Sequence, residues 1–260
     1  MNFFENFTAD QRVQLGTGHT FDIPAFPDTT GSSNEAQVVT AALWSHVSDC
    51  VPQVNAIKAD RRYSDYGRAE HLEPIAETAH LRLVGAWHNL NGFEKSIDSR
   101  EKALVGVPAI EPSNLLAYLE DRELRDWWTA QGVEARAGLM RQFDEASAES
   151  MRMALAILRS PLPQADVEKT YFKDAWDKAA RASNPIEAER IALGRKAIEW
   201  SERNLHYAHT VIKSVSGWDK ERILKHALTA QNGTFKPYAS KLGFSKQDIA
   251  QMELRMANHR

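Results

Sequence analysis

The chain has 260 residues, 43% of them hydrophobic and 26% charged, with seven tryptophans and a formal net charge of −3 at neutral pH. That length can bury a substantial core, and a charge so close to zero, taken over the whole chain, predicts no polyanion partner. A single cysteine, Cys50, excludes an internal disulfide and any multi-thiolate metal site; no apolar run approaches the roughly 18 residues that span a bilayer, and the best, Ala154-Leu-Ala-Ile-Leu158, stops at Arg159.

Residues 1–33 hold Gly16, Gly18, Pro24, Pro27 and Gly31 amid Thr and Ser with no sustained period, which predicts an extended arm carrying a short helix from about Thr8 to Leu15. Phe3, Phe4, Phe7, Phe21 and Phe26 give this arm more apolar surface than a disordered linker carries, so they are candidate anchors for a neighbouring subunit, or for the arm's own body. The opening Met1-Asn-Phe-Phe-Glu-Asn6 places an acid where a signal peptide needs base, and a cytoplasmic protein is expected.

Ser32-Ser-Asn-Glu35 has capping-box spacing, and Val39, Leu43, Val47, Cys50, Val54 and Ile57 then recur at steps of three and four, predicting a helix that Pro52 should kink. Ser64 is positioned to cap a second helix with the stripe Leu72, Ile75, Ala79, Leu83, Ala86, Leu90, Phe93 and Ile97. Pro108 and Pro112 break the chain. Ser113 then opens a segment running to Ser160-Pro161, in which Trp127, Trp128, Val133, Ala137, Met140, Phe143, Met151 and Leu155 predict one helix or two, interrupted at Gly132. A shorter helix is expected from about Asp166 to Ala182. Asn184-Pro185 supplies an N-cap and a first-turn proline for the next, along which Ile191, Ile198, Leu205 and Ile212 alternate with the smaller Gly194, Ser201, Ala208 and Val215. Small residues between large ones allow close helix packing, and Gly217 ends this helix. The fold class expected is all-α: an elongated helical bundle over 34–216, preceded by the arm at 1–33 and followed by a basic helical unit at 217–260.

Two constellations have metal-ligand spacing. Glu77-x-x-His80 matches the carboxylate–histidine pair of di-iron bundles but lacks its partner pair, because His206 stands one place too far from Glu202; His206, His209 and Glu202 could otherwise form a surface site. No phosphate loop, nucleophile elbow or His-Glu-x-x-His is present, so no cofactor and no catalytic residue are assigned.

Charge is unevenly spread. From Trp218 to Arg260, eight Lys/Arg stand against four acids, a local balance of +4. Within that segment, Ala239, Gly243, Phe244, Ser245, Ile249 and Met252 have the spacing of a small crossing residue, a left-handed turn, a cap and docking positions, and the segment resembles the helix-turn-helix family over about twenty residues. The resemblance implies that Lys246, Gln247, Gln251 and Arg255 face a DNA groove. It also requires the motif's first helix to begin at Pro237, and it points the Asp248 carboxylate towards the same groove.

A second stretch, Arg62-Tyr-Ser-Asp-Tyr-Gly-Arg-Ala-Glu70, resembles segments of helical structural proteins of tailed bacteriophages. Combined with an aromatic arm, long helices and no catalytic motif, it implies a non-enzymatic assembly protein that docks to neighbouring subunits in an oligomeric particle, as a head-to-tail connector or DNA-handling component, in the host cytoplasm or the virion. A DNA-binding regulator or packaging factor is the alternative reading, and a metal-dependent helical-bundle enzyme a more distant one.

Overall fold

The stripe on the second predicted helix is the clearest guide to the core. In the computed structural model, which describes residues 11–14, 20–23, 25–26, 34–143, 147–160 and 166–258, helix α1 spans Asn34–Ala59 and α2 spans Asp65–Val105. Along α2, Ala79, Leu83, Ala86, Leu90, Phe93 and Ile97 are all buried, as are Leu43, Val47, Cys50 and Val54 along α1. Ser64 caps α2 by accepting the Gly67 N–H at 3.1 Å. The capping residues Ser32 and Ser33 expected before α1 lie outside the described residues.

The remaining helices are α3 (Leu115–Ala130), α4 (Val133–Arg141), α5 (Ala148–Leu158), α6 (Asp166–Ser183), α7 (Pro185–Ser216), α8 (Lys220–Thr229) and α9 (Lys246–Asn258). Two 3-10 segments, Ala230–Gly233 and Lys236–Leu242, connect the last two. The protein is thus an all-α helical bundle. Asn184 caps α7 as its position before Pro185 requires, its side-chain oxygen accepting the Glu187 N–H at 3.4 Å. Beyond the last turn of α7, Gly217 takes a left-handed φ of 66°.

Three local expectations are corrected. Gln11–Gln14 is a strand, not part of a helix, and pairs antiparallel with Thr20–Ile23 in a two-stranded ribbon (β1 and β2), with Arg12 donating to Asp22 across it at 2.8 Å. A short helix there would have had to pay its nucleation cost alone, whereas Val13, Thr20, Phe21 and Ile23 favour an extended chain and Gly16 and Gly18 favour a reversal between them. The segment 113–160 forms three helices rather than one or two: the break at Gly132 is joined by a second after α4 ends at Arg141, and Ser147 caps α5 by accepting from Ser150 N–H. Val133 and Trp127, expected in the core, are 73% and 46% exposed.

The chain divides into two compact units, one comprising Met1–Ile97 with Ala192–Arg260 and the other Asp98–Ile191, so the division falls within α2 and α7. In the first unit the α7 seam is core: Ile198, Leu205, Ala208, Ile212 and Val215 are buried, and the Ser201 hydroxyl donates to the Ala36 carbonyl of α1 at 3.2 Å. At Gly194 α7 approaches α2 closely, since a Cβ there would lie 2.6 Å from Ile97 Cδ1 and 3.1 Å from its Cγ1. Ile97 is fully buried and has no room to withdraw. Gly194→Val is therefore expected to cost about 2 kcal/mol by overpacking, and Ile97→Ala in the same chain to recover part of that loss. Denaturant midpoints of the single and double variants measure the coupling.

The second unit is organised around Trp128, Ala154, Ile157 and Phe172, with α5 packed against both α3 and α6. Two buried carboxylates tie it together. Glu168 on α6 accepts from the Trp128 indole at 3.0 Å and pairs with Arg136 of α4 at 3.1 Å. Asp121 on α3, 6% exposed, is paired with Arg159 at 3.3 Å and Arg125 at 3.9 Å, and those arginines also donate to the Pro108 and Ala156 carbonyls.

Candidate functional site

The C-terminal segment has the turn geometry its sequence requires. The seven-residue helix Lys236–Leu242 carries Pro237 in its first turn, where the missing N–H costs nothing, and it is 3-10 rather than α. Gly243 follows with φ 83°, in the left-handed region where a Cβ would be strained. Ser245 then caps α9: its hydroxyl accepts from the Asp248 N–H at 3.1 Å, while the Asp248 carboxylate accepts from the Ser245 N–H and hydroxyl at 2.9 and 2.8 Å. These bonds hold the Asp248 carboxyl below the usual carboxylate range, with Lys220 at 3.4 Å adding to the effect. The acid expected to face a DNA groove is consumed as a reciprocal cap.

Lys246, Gln247, Gln251 and Arg255 are all exposed on α9. Most of the local positive charge is nevertheless matched within the same unit. Lys220 pairs with Asp248, Arg222 with Glu73, Lys236 with Glu253, Lys241 with Glu202 at 2.6 Å and Arg255 with Glu221 at 3.2 Å. Among the described cations of this segment, Lys225 and Lys246 have no such partner. Inside the first 3-10 segment, Gln231 and Asn232 stand at φ 51° and 55°, a left-handed conformation unfavourable for residues with a Cβ. Asn232→Gly is expected to stabilise the protein by about 0.5–1 kcal/mol, read as a rise in thermal midpoint.

The metal-ligand spacings do not converge. Among the described residues no group of three His, Cys, Asp or Glu side chains could hold an ion. Glu202 is engaged by Lys241, and His209 is turned inward with its Nε2 buried and without a hydrogen-bond partner. His80, 1% exposed, is stacked on Trp218 at 4.6 Å between ring centroids, with His226 tilted 6.2 Å away and the Ser216 hydroxyl 3.3 Å from its Nε2. Burial, reinforced by the nearby His226 and His209, pushes His80 down to about 3; burial, reinforced by Lys213 and His206, pushes His209 down to about 4. These are neutral core histidines. Cys50 is buried too, 3.2 Å from His46 Nε2, and burial together with Asp49 pushes its thiol up, away from a nucleophile's range.

Of the candidate arm anchors, Phe26 packs edge-on against Trp200 of its own chain with ring centroids 4.8 Å apart. Phe21 lies in β2, its side chain outside the described residues, and Phe3, Phe4 and Phe7 are outside them altogether.

The surface that sequence reasoning missed is on the second unit. Helix α3 buries Asp121 and Trp128 and leaves Leu115 and Leu116 68% exposed, Leu119 47% and Trp127 46%. Glu120, Glu123, Leu124 and Trp127 of α3, with Glu149, Arg152 and Met153 of α5, line an open groove of about 560 Å³, and Leu116 falls on the same helical face as Glu120, Glu123 and Trp127. Arg152 is paired with Glu120 at 2.5 Å, which leaves Glu123 and Glu149 as its uncompensated charges. Part of the signal was present in the doublet Trp127-Trp128: neighbours on a helix are about 100° apart, so a narrow core-facing stripe takes Trp128 and leaves Trp127 outside, whereas both members of Leu115-Leu116 lie outside.

Fold and surfaces together define an all-α protein of two helical units, with Leu115, Leu116, Leu119 and Trp127 exposed on α3. The chain matches no protein-family profile, and neither curated proteins nor solved structures give a match. No helix among the described residues is long and apolar enough to cross a membrane.

Proposed function

We propose that this chain is a non-enzymatic assembly protein that docks to copies of itself through the exposed face of α3, with a tailed-phage particle as the setting suggested by Arg62–Glu70. The observation carrying this reading is the placement of Leu115, Leu116, Leu119 and Trp127 on the outside of a helix whose opposite face is already packed. Large apolar side chains grouped on one surface mark a protein contact more often than a solvated face. The five ion pairs made by cations of residues 218–258 favour assembly over the alternative of a DNA-binding regulator, because they remove most of the charge available to phosphate.

Sedimentation velocity of the full chain from 1 to 100 µM tests it. Species heavier than the 29.3 kDa monomer are expected to grow with concentration and to disappear in Leu116→Glu and Trp127→Glu, whose near-ultraviolet circular dichroism should match wild type. A monomer at every concentration overturns the reading.

A further inference from the structure

We infer that the occupant of the α3–α5 groove is α9 of a second copy, so that the contact runs head to tail. This rests on the assembly reading and names the surface that meets α3. Helix α9 presents an exposed stripe of Lys246, Ala250, Leu254 and Ala257 at helical spacing, with Leu254 65% exposed. The small residues flanking Leu254 let a facing helix approach closely, and α3 offers the large partners it lacks, Trp127 in the groove and the exposed Leu116 further along the same helical face.

Charge points to the same match. Lys246 opens the α9 stripe without a partner in its own chain, and Glu123 and Glu149 stand in the groove without one. The Asp248 carboxylate, the acid nearest Lys246 in sequence, is already bound to Ser245 and Lys220 and adds little repulsion. A cation heading an apolar stripe, facing carboxylates that flank an apolar groove, fixes register and excludes the reverse pairing of groove with groove, where Glu123 and Glu149 would meet their own copies. The contact joins two different surfaces, so each copy keeps one of each free and association continues until a ring closes or a filament grows.

The test uses full-length chains and complementation. A chain with Lys246→Glu and Leu254→Glu has a defective stripe; one with Glu123→Gln and Trp127→Glu has a defective groove. Each alone should be monomeric, with a dissociation constant raised at least tenfold over wild type. Their equimolar mixture should form a complex of two chains and stop there, because one intact stripe meets one intact groove and no second contact remains. Unchanged helical circular dichroism and thermal midpoints confirm that both variants are folded. A mixture that stays monomeric overturns the head-to-tail inference. Wild-type association by the stripe-defective chain, with the groove-defective chain monomeric, removes α9 as the occupant and leaves the assembly reading standing. Wild-type protein that never associates removes both. Should the stripe-defective chain associate normally yet lose salt-dependent binding to duplex DNA, α9 is a nucleic-acid face and the inference fails.

Discussion

Lowering the pH from 7.5 to 4.5 is expected to remove about 4–5 kcal/mol of stability from the unit that contains α1, α2, α7 and α8, through His80 and His209. Both are held neutral in the fold, at about 3 and about 4, against 6.5 for an unperturbed imidazole. Over the interval between those values the unfolded chain binds protons that the folded chain refuses. The stabilisation is therefore complete above pH 6.5 and falls by about 1.4 kcal/mol per pH unit for each histidine until the folded value is reached. No carboxylate partner relieves His80: it lies against the Trp218 ring, with His226 beside it and the Arg222 guanidinium 4.8 Å over that same indole. Charging the imidazole would place a cation in a buried site that offers it no counter-charge. His80→Phe, which keeps the stacking on Trp218, should lose roughly half of the pH dependence. Urea midpoints at pH 7.5 and 4.5 for wild type and variant measure this, and equal pH dependence in both would refute the assignment.

Asp121→Ala is expected to destabilise the second unit by about 3–5 kcal/mol, the scale observed when one partner of a buried ion pair is removed. Asp121 is 6% exposed and faces Arg125 and Arg159, whose side chains are themselves about 20% exposed. Without the carboxylate, two guanidiniums remain in a poorly solvated site with only the Ala156 and Pro108 carbonyls as acceptors. Asp121→Asn preserves the shape and removes the charge, so it should retain a large part of the loss; a cost below about 1 kcal/mol for either variant would show that the arginines reach water instead. The consequence extends to the groove. Arg125 crosses from α3 to the carbonyl of Ala156 on α5, so loosening this cluster should also weaken the docking assigned to Leu116 and Trp127.

How much could be read in advance depends on where each signal is stored. The α2 stripe from Ala79 to Ile97, the cap and proline at Asn184-Pro185 and the left-handed turn at Gly243 were legible because each is a relation between residues a few positions apart. The end of α4 at Arg141 was missed because neither glycine nor proline follows it in Gln142 and Phe143, and the ribbon strand Gln11–Gln14 because a four-residue strand exists only through pairing with Thr20–Ile23. The candidate docking face was half legible. Two bulky doublets on one helix announce that something apolar is left outside, but spacing alone does not say which member of Trp127-Trp128 faces inward; in the fold it is Trp128, whose indole N–H donates to Glu168 forty positions away.

The sequence by itself determined the helices, most of their ends and the seam of small residues along α7, because backbone hydrogen bonding and side-chain periodicity act over one or two turns. Only the tertiary structure decided what the charged and aromatic residues do. It neutralised the basic C-terminal segment against Glu73 and Glu202, turned Asp248 from a groove-facing acid into a cap, and stacked His80 on Trp218. A charge or a ring has no function until its surroundings fix its solvation and its partner, and those partners come from parts of the chain that sequence spacing does not connect.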